Sequence, residues 1–354
     1  MTDVLAIITG ERGHREIVRP LAAVDQPCFV LDWEELAARA SHPYLCFIRK
    51  LWTLVRTHRG ATVFTDMNSA FLAVILFVAK LHGCRILMRL RGDPFAETGG
   101  QLRFHWERYD WLHPERYEWS KFARVVIAWL LDRPLFAFVD HFVPVSDWIV
   151  RRLDIANRST IVRIPVPLEN FPPAPLRHDG ALRLLAVTNF NFPQKVAALG
   201  RFLADYGDFF RAERIRVTVA GTGIALEQFR ERYGAQADFP GFIRDVAALY
   251  REHDVFVHFS DLDAFPYVVL EAQASALPVI VNRDCGMLEQ VEHGVTGLIV
   301  ELADRATLET HLRTLGASPE ARARLGITAR EYVATTYSMP VIGKGLLSAL
   351  QRAQ

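Results

Sequence analysis

Residues 256–300 read FVHFSDLDAFPYVVLEAQASALPVIVNRDCGMLEQVEHGVTGLIV. The apolar run over 254–259 predicts a buried parallel strand, and a polar loop over 260–265 follows it. Pro266 suits the first turn of a helix, where its missing N–H costs nothing. Apolar residues then recur at helical spacing over 267–276. A second strand is expected over 277–281, a loop opening at Gly286, and a third strand after Thr296-Gly297. This pattern is a βαβ unit plus the start of another, the setting in which open α/β sheets bind ligands at the carboxyl ends of their strands.

A helix starting near Tyr267 and Val268 offers N–H groups and a positive dipole end, which suit phosphate. Asp263 hangs in the loop before that helix, and Glu271 sits on its early turns. Carboxylates only accept hydrogen bonds, so a pair flanking an anion site suits hydroxyl-rich ligands such as sugar and ribose. The alternative is that Asp263 caps the helix and Glu271 is a solvated helix residue.

The stretch S-x-x-D-x-F-P-x-x-x-L-E-A-x-A-x-x-x-P-V-I resembles the signature of retaining GT-B glycosyltransferases of the family-four type, the glycosyl transferases group 1. That signature has E-x7-E, then A-x-G-x-P-V, G-G-x-x-E and a G-x-T/N-G turn. The matching residues are Asp263, Glu271, Ala272, Ala274, Pro278, Val279, Gly286, Glu289, Gly294, Thr296 and Gly297. Asp263 stands where the family has its first Glu, and Leu277 where it has a glycine.

Composition sets outer limits. At 354 residues, 51% of them hydrophobic, the chain has room for two domains with large cores. A net charge of +1 argues against a nucleic-acid binder, which carries a clear basic excess. Cys28, Cys46, Cys84 and Cys285 are scattered without a C-x-x-C pair and read as buried free thiols. The start, MTDVLAIITG, reads as a first strand and not a signal peptide. The longest uncharged apolar stretch, 70–79, is short of the about 20 residues that span a bilayer. The expected location is cytoplasmic, with membrane association at the cytoplasmic face as an option.

The rest of the chain alternates strands and helices. Gly10 and Gly13 lie in the first strand-to-helix loop; in the resembling family this loop faces the donor diphosphate, which makes Gly13 a donor candidate. A strand over 85–90 runs into Arg91-Gly92-Asp93, where the family commonly has His-Gly near the donor sugar; Arg91 and Asp93 are candidates on the acceptor or sugar side. Segment 101–122 interleaves Phe104, Trp106, Tyr109, Trp111, Tyr117, Trp119 and Phe122 with nearly balanced charge. It reads either as an acceptor groove or peripheral membrane contact, or as a helical excursion packing its own aromatics. Prolines crowd 164–175 and mark a linker.

After the linker, the loop TNFNFPQK ends at Lys195, expected just before a helix over 196–209. The family has G-R-x4-K here, with both cations on the diphosphate; Lys195 matches the lysine, and Asn189 or Phe190 stands at the arginine. Gly221-x-Gly223 opens a further loop, and Phe242 follows a Pro-Gly pair that resembles the family's base-binding loop.

The resemblance therefore implies two facing Rossmann-like domains with a cleft between them. The N-terminal acceptor-side domain would span 1–170 and the donor domain 171–335, with helix 336–354 crossing back to the first. It implies transfer of a sugar from a nucleotide-sugar donor to a glycan, lipid-linked or small-molecule hydroxyl. Asp263, Glu271 and Lys195 would be catalytic. Gly13, Asn189, Gly221, Phe242, Phe265, Tyr267 and Val268 would join Glu271 on the donor. No cofactor, metal or nucleic-acid partner is expected. Alternatives are a catalytically silent nucleotide-sugar-binding subunit and a nucleotide-sugar epimerase of the same fold. A dinucleotide-dependent oxidoreductase is the reading suggested by Gly221-x-Gly223 alone.

Overall fold

The computed structural model describes residues 3–67, 69–107, 119–178 and 180–353. They form two compact units, one of Met1–Pro165 with Met339–Gln354, the other of Val166–Ser338.

The first unit is built on five parallel strands: β1 Val4–Ile8, β2 Phe29–Asp32, β3 Thr62–Thr65, β4 Arg85–Leu90 and β5 His141–Pro144. Their spatial order is β2-β1-β3-β4-β5. Chain direction across the sheet reverses between β1 and β3, so the switch point lies at the ends of these two strands. All five residues of β1 are buried, as a strand covered on both faces requires. Helices Pro43–Thr57, Ser69–Leu81 and Trp119–Phe136 lie side by side, with Ser69–Leu81 in the middle. The last helix, Met339–Arg352, packs on the short helix Arg19–Ala22. Gly343 makes this approach feasible: a Cβ there would sit 2.1 Å from the Pro20 carbonyl oxygen.

The second unit has six parallel strands: β6 Arg183–Val187, β7 Arg216–Ala220, β8 Asp238–Gly241, β9 Val255–His258, β10 Val279–Asn282 and β11 Leu298–Val300. Their order, β8-β7-β6-β9-β10-β11, is 3-2-1-4-5-6 in the unit's own count, that of dinucleotide-binding sheets. The reversal falls between β6 and β9, which pair through Leu184 with Val255 and Leu185 with Phe256. The chain is thus α/β throughout, with two Rossmann-like units.

Of the aromatic segment 101–122, residues 108–118 lie outside the described residues, and so do the side chains of Phe104, Trp106 and Trp119. Its two ends belong to helices Pro94–Glu107 and Trp119–Phe136. No helix among the described residues is long and apolar enough to cross a membrane. The four cysteines are free thiols: Cys84 and Cys285 are buried, Cys28 and Cys46 half-buried.

Candidate functional site

In the second unit, β6 and β9 each feed a polar loop at the switch point. The β6 loop, residues 188–192, leads into helix Pro193–Ala212. That helix begins three residues earlier than its apolar pattern predicts, because Pro193 is preorganised for a first helical turn. Lys195 therefore lies inside the first turn, where the helix dipole disfavours a cation. Asp263 compensates: its carboxylate is 3.1 Å from the Lys195 ammonium, and both side chains are largely buried.

Asp263 also accepts a hydrogen bond of 3.0 Å from Nε2 of His258, the last residue of β9. Burial by itself would push the Asp263 carboxyl up. Lys195 and His258 outweigh it and hold the group well below the usual carboxylate range. The cap reading of Asp263 does not hold. Helix Tyr267–Ala274 has Pro266 at its N-cap with no side-chain cap bond, and Asp263 is turned toward β6.

Glu271 is not simply solvated either. The Tyr250 hydroxyl donates to its carboxylate at 2.9 Å. Tyr250 is fully buried, and burial together with the Glu271 charge raises its phenol well above the ordinary value. It stays a neutral donor and fixes the carboxylate in place. The Val268 carbonyl lies 3.3 Å from the same hydroxyl. Tyr267 and Val268 stand on the first turn, where N–H groups have no partner within the helix. The Phe265 side chain is buried against Tyr337, so its backbone is what it can offer a ligand.

Close backbone contacts hold these loops. A Cβ on Gly286 would meet the Ala264 carbonyl oxygen at 1.4 Å, and the Gly286 N–H donates to the Asp263 carbonyl at 3.1 Å. Gly221 and Gly223 have φ of 141° and 147°, and they bring the β7 loop onto the β6 loop. A Cβ on Gly221 would lie 1.9 Å from the Thr188 carbonyl oxygen. Asn189 is exposed and accepts from the Asn191 N–H at 2.9 Å, an Asx turn. Phe242 is 73% exposed at the end of β8.

Asp261-Leu262-Asp263 has a D-x-D spacing that the metal-free reading of the sequence passed over. The two carboxylates serve different cations. Asp261 makes two hydrogen bonds with Arg201, at 3.0 and 2.8 Å, while Asp263 pairs with Lys195. No metal-ligand cluster occurs among the described residues.

The first unit has its own charged cluster at its switch point. Arg91, just past β4, lies 2.9 Å from Glu16 and 2.8 Å from Asp66. Asp66 also accepts from the Thr9 N–H and hydroxyl at 3.0 and 3.1 Å. Arg89 is fully enclosed, donating to the Val162 and Arg163 carbonyls at 2.6 and 2.8 Å and facing Glu16. Burial presses its guanidinium down to about 10, still charged at neutral pH. Gly13 is buried, and a Cβ there would strike Ile8 at 2.5 Å. Asp93 caps helix Pro94–Glu107 through the Phe95 and Ala96 N–H groups and takes a 2.6 Å bond from Arg152.

Residues 199–332 match the family model described as glycosyl transferases group 1. The second unit carries a glycosyl transferases group 1 domain. Sulfoquinovosyl transferase of Arabidopsis thaliana is 33% identical over 122 residues, which are 33% of this chain and 24% of that protein. A capsular polysaccharide biosynthesis glycosyltransferase of Staphylococcus aureus is 30% identical over 106 residues, 30% of this chain and 28% of that one. The chain spans about a quarter of the length of these relatives. Among solved structures, HepE of Anabaena in complex with UDP and glucose superimposes with a TM-score of 0.67 at 15% identity, covering 99% of this chain and all of that one. A glycosyltransferase of Rickettsia africae gives 0.68 at 13% identity, covering 99% and 98%. The fold is GT-B.

At the switch point of the second unit stand Lys195 on the first turn of helix Pro193–Ala212, Asp263 on the loop after β9, and Tyr267, Val268 and Glu271 on helix Tyr267–Ala274. Gly13, Arg91 and Asp93 belong to the cluster of the first unit. His258 and Tyr250 escaped the sequence reading. His258 is a polar residue ending an apolar strand, a visible signal. Tyr250 lies 21 residues before its partner on an ordinary helix and gives none.

Proposed function

We propose that the chain transfers a sugar from a nucleotide-sugar donor to an acceptor hydroxyl with retention of configuration and without a metal. The observation that carries this reading is the Lys195–Asp263 pair at the β6/β9 switch point, beside the start of helix Tyr267–Ala274. A departing diphosphate needs positive charge aimed at its oxygens as the glycosidic bond breaks. Lys195 and the first-turn N–H groups supply it. Asp263 then trades part of its contact with Lys195 for sugar hydroxyls, and Glu271, oriented by Tyr250, takes the ribose hydroxyls. The departing phosphate accepts the acceptor's proton, so no protein nucleophile is required. Asn189, Gly221 and Phe242 lie on the loops that would border the nucleotide. By the family resemblance, Arg91 and Asp93 are assigned to the acceptor or sugar side and Gly13 to the donor diphosphate.

The group 1 match and the GT-B fold support this reading, as does the neighbour whose structures hold UDP and UDP-glucose. Calorimetric titration with UDP, GDP and ADP in excess chelator tests it. One nucleotide should bind, and its sugar conjugate should give a product whose anomeric proton keeps the donor's configuration. Failure of all three to bind, or binding only with added divalent cation, overturns it.

A further inference from the structure

We propose that a recess at the strand-entry end of the second sheet binds a small organic monocarboxylate. The recess has a volume of about 260 Å³, which limits its occupant to a small molecule. Asp254 and Pro278, the residues just before β9 and β10, line it. It therefore lies at the opposite end of β9 from His258, which faces the Lys195–Asp263 pair. Pro175, Leu277, Pro278 and Ala323 supply apolar wall. The recess is preformed. Segment 173–177 makes one side of it, and Pro173 and Pro175 limit that segment's freedom. The Ala174 N–H donates to the Ser275 carbonyl at 2.7 Å, and Arg322 donates to the Arg177 carbonyl.

Charge defines the ligand. Among the described residues the Arg177 side chain makes one hydrogen bond, a long one of 3.4 Å from Nη2 to the Arg251 carbonyl, and its Nε is buried without a partner. A guanidinium so poorly matched by the protein keeps donors for an anion. The other polar groups of the lining are already engaged. Arg322 directs its donors at the Leu315, Gly316 and Arg177 carbonyls. Asp254 accepts from the Arg183 N–H and guanidinium at 2.9 and 3.1 Å. His253 donates from Nδ1 to the Leu249 carbonyl at 2.8 Å. Burial holds its ring below the ordinary imidazole value, so it is neutral at pH 7. An occupant thus meets one open guanidinium beside a fixed carboxylate. That setting favours a single negative charge over the double charge of phosphate. A planar anion with two oxygens matches the guanidinium edge, and the apolar walls take a short hydrocarbon body. The recess does not depend on the glycosyl-transfer reading, whose residues lie elsewhere.

The test is ligand-observed NMR and calorimetry on the full chain with benzoate and butyrate, against benzamide, butyramide and inorganic phosphate. The two carboxylates should bind at one site, the neutral amides should not, and phosphate should fail to displace benzoate. Arg177→Gln should weaken benzoate about 10- to 100-fold, the loss expected for a charge-assisted hydrogen bond. Arg177→Lys should recover little of it, because an ammonium lacks the two-pronged geometry. Ala323→Phe, at a half-buried position in the wall, should fill the recess and abolish binding. Nucleoside diphosphate binding should match wild type in all three variants, which separates failure of the recess from failure of the glycosyl-transfer reading. Absence of carboxylate binding overturns the proposal, as does equal binding of the amides or displacement by phosphate. So does unchanged benzoate affinity in Arg177→Gln or Ala323→Phe, since the carboxylate would then sit elsewhere.

Discussion

Lys195, on the helix turn that follows β6, and Asp263, on the loop that follows the adjacent β9, stand 3.1 Å apart at the point where the second sheet reverses its order. The pair joins the two strand ends and places a cation in a first helical turn that would otherwise repel it. Under the proposed function, an incoming diphosphate would supply the same compensation as Asp263, so ligand and carboxylate would share one lysine.

Lys195→Ala should weaken nucleoside diphosphate binding about 10- to 100-fold, as loss of a charge-assisted hydrogen bond does. Calorimetry checks it, and unchanged affinity would remove Lys195 from the donor site.

Asp263→Asn should lower turnover while leaving plain nucleoside diphosphate binding at or above the wild-type level, because Lys195 is released for phosphate. The native carboxyl is held below its unfolded value, so its stabilising effect is present above about pH 4 and is lost as pH falls through the folded value. The melting-temperature gap between wild type and variant should therefore be widest at neutral pH and narrow in acid. A gap that does not change with pH would contradict the ion-pair assignment.

Tyr250→Phe removes one hydroxyl from a buried site and should cost about 1 kcal/mol of stability. It should also weaken the nucleoside diphosphate, because Glu271 loses the donor that fixes its orientation. Glu271→Gln should mimic the second effect. Thermal melts beside titrations separate the two quantities.

Gly286→Ala should abolish donor binding with a modest loss of fold stability. The added methyl must displace the Ala264 carbonyl and, with it, the loop carrying Asp263. Retained binding would mean that the loop tolerates the shift.

Glu16→Gln should destabilise the first unit by about 3–5 kcal/mol, since Arg89 and Arg91 would then share a buried site short of one carboxylate. A chemical melt checks this.

The loop–helix–strand pattern from β9 to β11 was legible because each element carries a local signal. Pro266 marks a helix start, continuous apolar runs mark buried strands, and glycines mark loops. Asp263 and Glu271 stood out for their place in that pattern. Their partners did not. The Tyr250–Glu271 bond joins two helices on either side of β9 in the chain, and the Arg89–Glu16 contact spans 73 residues. An arginine inside a strand reads locally as a surface position; only the fold shows it enclosed. The start of helix Pro193–Ala212 was misjudged by following apolar spacing, although Pro193 was the better guide. Strand order has no local signal, and the structure alone gives it.

The chain's division into two units has a practical consequence. The Val166 N–H donates to the Tyr337 carbonyl at 2.9 Å, so the second unit's entry and exit run side by side. In sequence it is a cassette of residues 166–338, inserted into a host whose own chain resumes at Met339. A protein engineer could lift such a cassette out and seal the host with a very short splice, or exchange it for a homologous one. Under the proposed function, donor choice could then evolve, or be swapped, without redesigning the rest of the polypeptide.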